Sequence, residues 1–123
     1  MKNTIIWFEI NVADLDRAKK FYDHVLQTNI RKEEMEGYPP MGIIPDEGVN
    51  GALVEDEEYE APEHSGVMLY FDGSSGINPY LERVEEAGGE VVVPRSFVNE
   101  SVGHWAAFSD LDGNLFAFYE PPQ

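Results

Sequence analysis

Cysteine is absent from this chain and basic residues are scarce, with eight lysines and arginines against 24 aspartates and glutamates and a net charge of −16. Without thiols there can be no disulfide, no thiolate nucleophile and no thiolate-bound zinc or iron–sulfur centre, which fits a reducing compartment. The negative charge would repel a phosphate backbone or an anionic membrane surface, so neither nucleic acid nor membrane is an expected partner. No apolar run approaches the ~20 residues of a membrane span. The amino-terminal stretch meets Glu9 and Asp14 too early to hold the apolar core of a signal peptide, and a soluble, cytoplasmic protein is expected.

What the chain does have is enough apolar material for a core: 42% of its 123 residues are hydrophobic and 12% aromatic, which argues for one folded domain rather than disorder. It also repeats itself. Ala18, Phe21, Tyr22 and Val25 form one helical stripe, and Ile77, Tyr80, Leu81 and Val84 form another at a constant offset of 59. A later register, 47–55 against 112–120, runs at an offset of 65, so six extra residues lie in the second half's connection. A period this long indicates one supersecondary unit used twice.

Each half reads as β-α-β-β-β, with module one at about 4–58 and module two at about 65–121. Strands are expected over 5–12, 30–34, 41–44 and 51–55, then over 66–71, 90–93, 104–108 and 115–119. Asp14 is the expected N-cap of the first helix, which runs to Leu26 or Gln27. For the second helix either Ser75 or Asn78 can cap, with Pro79 favouring Asn78, and Gly88-Gly89 supplies the stop. Residues 59–66 read as a linker, and the acidic groups at 55–63 and 33–36 read as solvated surface, with a high-salt habitat as a further cause. Asp110, Asp112 and Asn114 begin like a calcium loop, but Leu115 and Pro121 stand where glycine and glutamate are needed, so a hairpin turn is expected.

Three segments carry a family resemblance: 12–22 (D-x-x-R-A-x-x-F-Y), 81–89 and 108–114 (F-x-D-x-D-G-N). In this order and repeat register the sequence resembles the vicinal oxygen chelate superfamily of glyoxalase I, extradiol dioxygenases, and fosfomycin- and bleomycin-resistance proteins. Small bacterial glyoxalase-like proteins share the W-F-E-I start at Trp7 and the G-A-L-V strand at Gly51. The resemblance implies an α+β fold in which two tandem βαβββ modules form a curved mixed sheet around a cleft, and a homodimer. It places the four metal-ligand positions of metal-dependent members at Trp7, Ala52, Gly66 and Ala117, with Trp7 answering Gly66 and Ala52 answering Ala117. An indole, two methyl groups and a glycine cannot bind a divalent ion, so no cofactor is expected.

Shifting the alignment by two residues brings in Glu9 and Met68, leaving one carboxylate, which is either a hydrogen-bonded sheet residue or a general base. His24 belongs to the solvent face of the first helix and His64 to the linker. His104, beside Trp105, is either an ordinary strand-end histidine or a ligand contact. The candidate catalytic residues are therefore Glu9 and His104. The candidate ligand-binding set is Trp7, Glu9, Met68, Tyr70, His104, Trp105 and Tyr119, with core packing as the competing role of the aromatic members. The connection 94–103 is long enough to be a lid.

Three functions follow. The first is a glyoxalase-like protein binding a small, partly aromatic or apolar molecule without the usual divalent metal. The second is a metal-dependent lyase, isomerase or dioxygenase of the same superfamily, with Glu9 and His104 as unorthodox ligands. The third is a non-catalytic dimeric interaction module whose cavity is filled by its own side chains.

Overall fold

The computed structural model of the chain describes residues 5, 7–45, 47–63 and 67–123. They form an α+β fold that divides into two compact units, residues 1–60 and 61–123. The first unit contains β1 (Trp7–Val12), α1 (Leu15–Leu26), β2 (Arg31–Glu33), β3 (Met41–Ile44) and β4 (Asn50–Glu55). The second contains β5 (Tyr70–Asp72), α2 (Ile77–Glu86), β6 (Glu90–Asn99), β7 (Gly103–Ser109) and β8 (Leu115–Glu120). Both are βαβββ units, as the repeat implies.

Within the first unit the strand order is β1-β4-β3-β2. β1 runs parallel to β4, and the other pairs are antiparallel. Asp14 caps α1, accepting the Arg17 backbone N–H at 3.0 Å. Gln27 ends the helix in the left-handed region at φ 54°. Leu15, Ala18, Phe21, Tyr22 and Val25 are buried along one stripe, and α1 packs that stripe on β3 and β4. Full burial of each larger apolar side chain contributes about 1.5–3 kcal/mol, so the stripe, rather than intrinsic propensity, holds a twelve-residue helix in place. Ile10, Val12 and Leu53 complete the layer beneath it.

The second unit repeats this with the order β5-β8-β7-β6. Its helix side is aromatic: Phe71, Phe108 and Phe118 lie 5.1–6.2 Å apart by ring centroid, and Tyr80 of α2 stacks on Phe118 at 4.8 Å. The 59-residue offset is realised in the helices, where Ala18, Tyr22 and Val25 are buried like Ile77, Leu81 and Val84. The 65-residue offset is realised in the last strands, where Ala52 and Ala117 are both fully buried.

Three sequence expectations are corrected. Neither Ser75 nor Asn78 caps α2; Gly76, at φ 115°, is the cap residue and offers no side chain. The Ile77 N–H is met instead by Glu120 Oε1 at 2.9 Å, from the end of β8. The same device appears in the first unit, where Glu55 Oε1 accepts the Leu15 N–H at 3.2 Å. Secondly, residues 94–103 are not a loose connection. Residues 94–99 extend β6 into a ten-residue strand paired with β7, its register interrupted around Pro94, which has no N–H to give to a ladder. Asn99 Oδ1 closes the turn by accepting from the Ser101 and Val102 N–H groups. Thirdly, β5 is only three residues long and begins at Tyr70, while Gly66 and His64 lie outside the described residues.

Candidate functional site

Each sheet has a face covered by its helix and a face turned away from it, and strand periodicity assigns every candidate residue to one of them. In the first unit Phe8, Ile10 and Val12 point towards α1, so Trp7, Glu9 and Asn11 point away. The register places Glu9 opposite Ala52 and Trp7 opposite Asn50. Trp7 and Glu9 are neighbours two residues apart on that face, and the indole Nε1 donates to Glu9 Oε2 at 3.1 Å. Trp7 remains 43% exposed, so the pair presents an aromatic surface beside a carboxylate rather than a core contact.

In the second unit the face turned away from α2 holds Tyr70 opposite Ala117, and Trp105 opposite Tyr119. Tyr70 is 57% exposed. The Tyr119 hydroxyl donates to the Val102 carbonyl at 2.6 Å, tying its ring to the β6–β7 turn. Met68, also exposed, precedes β5. Tyr70, Trp105 and Tyr119 are thus brought to one face of one sheet. His104 is not: successive residues of a strand point to opposite faces, and the register sets His104 against Glu120 and Phe97 on the helix side.

There His104 belongs to a cluster that sequence reasoning missed. Glu120 is buried, and it accepts from Arg95 Nε at 3.1 Å and from Arg95 Nη2 at 2.6 Å, besides capping Ile77. His104 Nδ1 lies 3.4 Å from Arg95 Nη2 and 3.8 Å from Glu120 Oε2. The Arg95 hydrogen bonds, then the Ile77 N–H, push the Glu120 carboxyl down to about 2. A carboxylate held ionised this firmly by a guanidinium and a helix N-terminus is a structural clamp, not a proton carrier. The only sequence sign of it was the repeat itself, which matches Glu55 with Glu120.

The same registers test whether a metal would fit. Ala52 faces Glu9 and Ala117 faces Tyr70, so the two leading strands correspond at an offset of 61, matching Glu9 with Tyr70 and Trp7 with Met68. Met68, not Gly66, therefore answers Trp7. In the first unit these positions offer an indole and a buried methyl group beside the Glu9 carboxylate, and in the second a thioether and a buried methyl group. Among the described residues no three His, Cys, Asp or Glu side chains converge as a metal site. Neither unit's set by itself fits a divalent ion, which needs three or more nitrogen, oxygen or thiolate ligands. The Asp110 turn likewise closes on itself, Asp110 accepting from the Asp112 and Asn114 N–H groups at 2.9 Å and from the Asn114 amide at 2.9 Å.

Comparison with known proteins agrees with this architecture. A hypothetical protein of S. aureus is 29% identical, with a TM-score of 0.71 over 93% of this chain and 94% of that one. A glyoxalase/bleomycin resistance protein from Albidiferax ferrireducens is 18% identical, with a TM-score of 0.75 over 98% of this chain and 100% of that one. The fosfomycin resistance protein FosX of Listeria monocytogenes, in complex with Mn(II) and a dihydroxypropylphosphonic acid, is 19% identical, with a TM-score of 0.74 over 98% and 92%. Among curated proteins there is no significant match. Residues 4–118 match the Glyoxalase/Bleomycin resistance protein/Dioxygenase superfamily, and the chain belongs to it.

Proposed function

We propose that this chain is a small-molecule-binding member of its superfamily that works without the divalent metal. The observation that carries this reading is the residue type at the sheet positions turned away from the helices. Trp7 in the first unit and Tyr70, Trp105 and Tyr119 in the second stand there, with methyl groups at the matching positions of β4 and β8. Small-ligand sites are built from such aromatic surfaces with a few polar groups, and Glu9, hydrogen-bonded to Trp7, is the polar group that touches the first unit's indole. His104 takes no part, being held on the helix side beside Arg95 and Glu120.

Two measurements test the proposal. Purified protein incubated with Mn²⁺, Fe²⁺, Ni²⁺ or Zn²⁺ and desalted should retain less than stoichiometric metal and show no thermal shift specific to one ion. Retention of one metal per chain that is lost in Glu9→Ala would defeat the reading in favour of a metal-dependent enzyme. A thermal-shift screen of small aromatic compounds should give hits whose effect is lost in Trp7→Ala or Tyr70→Ala.

A further inference from the structure

The basic side chains of this molecule are distributed unevenly between the two sides of its sheets. Lys2 lies outside the described residues. Arg17, Lys19 and Lys20 are on α1, and Lys32 reaches α1 to pair with Asp16 at 2.6 Å. Arg83 lies 4.7 Å from the Tyr80 ring on α2, and Arg95 is clamped to Glu120 on the α2 side of its sheet. Arg31, opposite Ile43 and hence on the side turned away from α1, already pairs with Glu33 at 3.0 Å. Among the described residues, the faces turned away from the helices therefore hold no arginine or lysine other than Arg31. In the first unit the exposed aromatic of that face, Trp7, stands against a carboxylate.

We infer that the ligand class of the Trp7–Glu9 surface is an organic cation: an ammonium or amidinium group attached to an apolar or aromatic body. This rests on the small-molecule reading above and names its substrate class. A cation over the face of an indole is attracted by the ring quadrupole, most strongly for tryptophan. Glu9 Oε2 receives the indole N–H, which orients the carboxylate beside the ring, while among the described residues no donor reaches Oε1. Among the described residues the one basic side chain on that face, Arg31, is paired with Glu33, and the net charge of −16 draws cations towards the whole surface. An anionic ligand would meet the opposite of each term. Asp72, on the corresponding face of the second unit, gives that face the same sign, its carboxyl held below the usual range by the Ser74 hydroxyl and N–H.

Three probes of similar size separate the possibilities: 2-phenylethylammonium, 2-phenylethanol and phenylacetate, titrated against tryptophan fluorescence at low salt. The ammonium should bind about tenfold more tightly than the alcohol, the factor expected when a desolvated cation–π contact is joined by an ion pair. Phenylacetate should be the weakest. Glu9→Gln should remove the preference while leaving the alcohol's affinity within about twofold. Glu58→Gln, which makes the same charge change at an exposed residue outside the sheets, should leave it intact. An equal loss in both variants would mean that only the general field is felt and would overturn the inference, as would a preference for phenylethanol or phenylacetate. If none of the three binds, the small-molecule reading fails and this inference fails with it.

Discussion

Glu120 shows how much one side chain can carry. It closes the N-terminus of α2, binds Arg95 through both carboxylate oxygens and does so while buried. Glu120→Ala would leave the buried Ile77 N–H without its acceptor and should cost about 1–3 kcal/mol in urea unfolding. The pH dependence has a definite sign. Because the folded carboxyl is depressed from 4.5 to about 2, its contribution is fully present above the unfolded value and is lost as pH falls from about 4.5 through about 2. Wild type should therefore lose stability over that window more steeply than Glu120→Gln, measured as urea midpoints at several pH values. In the sequence Glu120 is one acidic residue among 24, and its partners Ile77 and Arg95 lie 43 and 25 positions away. Local patterns report what neighbours along the chain do, so a cap delivered from another strand leaves no local sign. The Asp14 cap, with its acceptor three residues from its donor, was readable, and Asp14→Ala should lower stability by about 1 kcal/mol.

At the scale of elements, the β6–β7 hairpin departs furthest from its sequence expectation. Residues 94–103 have turn-forming Pro94, Asn99 and Gly103, yet residues 94–99 continue β6 because β7 supplies partners for its backbone. Gly103, at φ 95°, opens β7 where a Cβ would lie 2.3 Å from the Glu120 carbonyl oxygen. Backbone cannot move aside as a flexible side chain can. Gly103→Ala should therefore destabilise by more than about 2 kcal/mol, through both the left-handed φ and the overlap. Gly51→Ala is the informative comparison: its Cβ would meet the Phe8 ring at 2.5–2.6 Å, a side chain with some freedom to tilt, and the loss should be smaller. Chemical denaturation of the two variants side by side orders them, and the reverse order would refute the argument. The helices, by contrast, lie where their apolar stripes put them, since a 3.6-residue period is written within a single element.

Across the whole molecule the dominant quantity is charge. At −16 on 123 residues, repulsion among carboxylates opposes the compact state, and screening should relieve it. Raising sodium chloride from about 0.01 M to about 0.5 M shortens the screening length from about 30 Å to under 8 Å and should raise Tm by several degrees. A Tm that is flat or falls over that range would show that paired charges such as Lys32–Asp16, which salt weakens, outweigh the net repulsion. The sequence by itself determined the βαβββ repeat, the helix stripes and the Asp110 turn, because composition, periodicity and short-range spacing are properties of the chain alone. Only the tertiary structure decided that Met68 rather than Gly66 matches Trp7, that His104 and Trp105 part to opposite faces, and that Glu120 caps α2. Each of these depends on strand register, and register is set by which distant residues pack together.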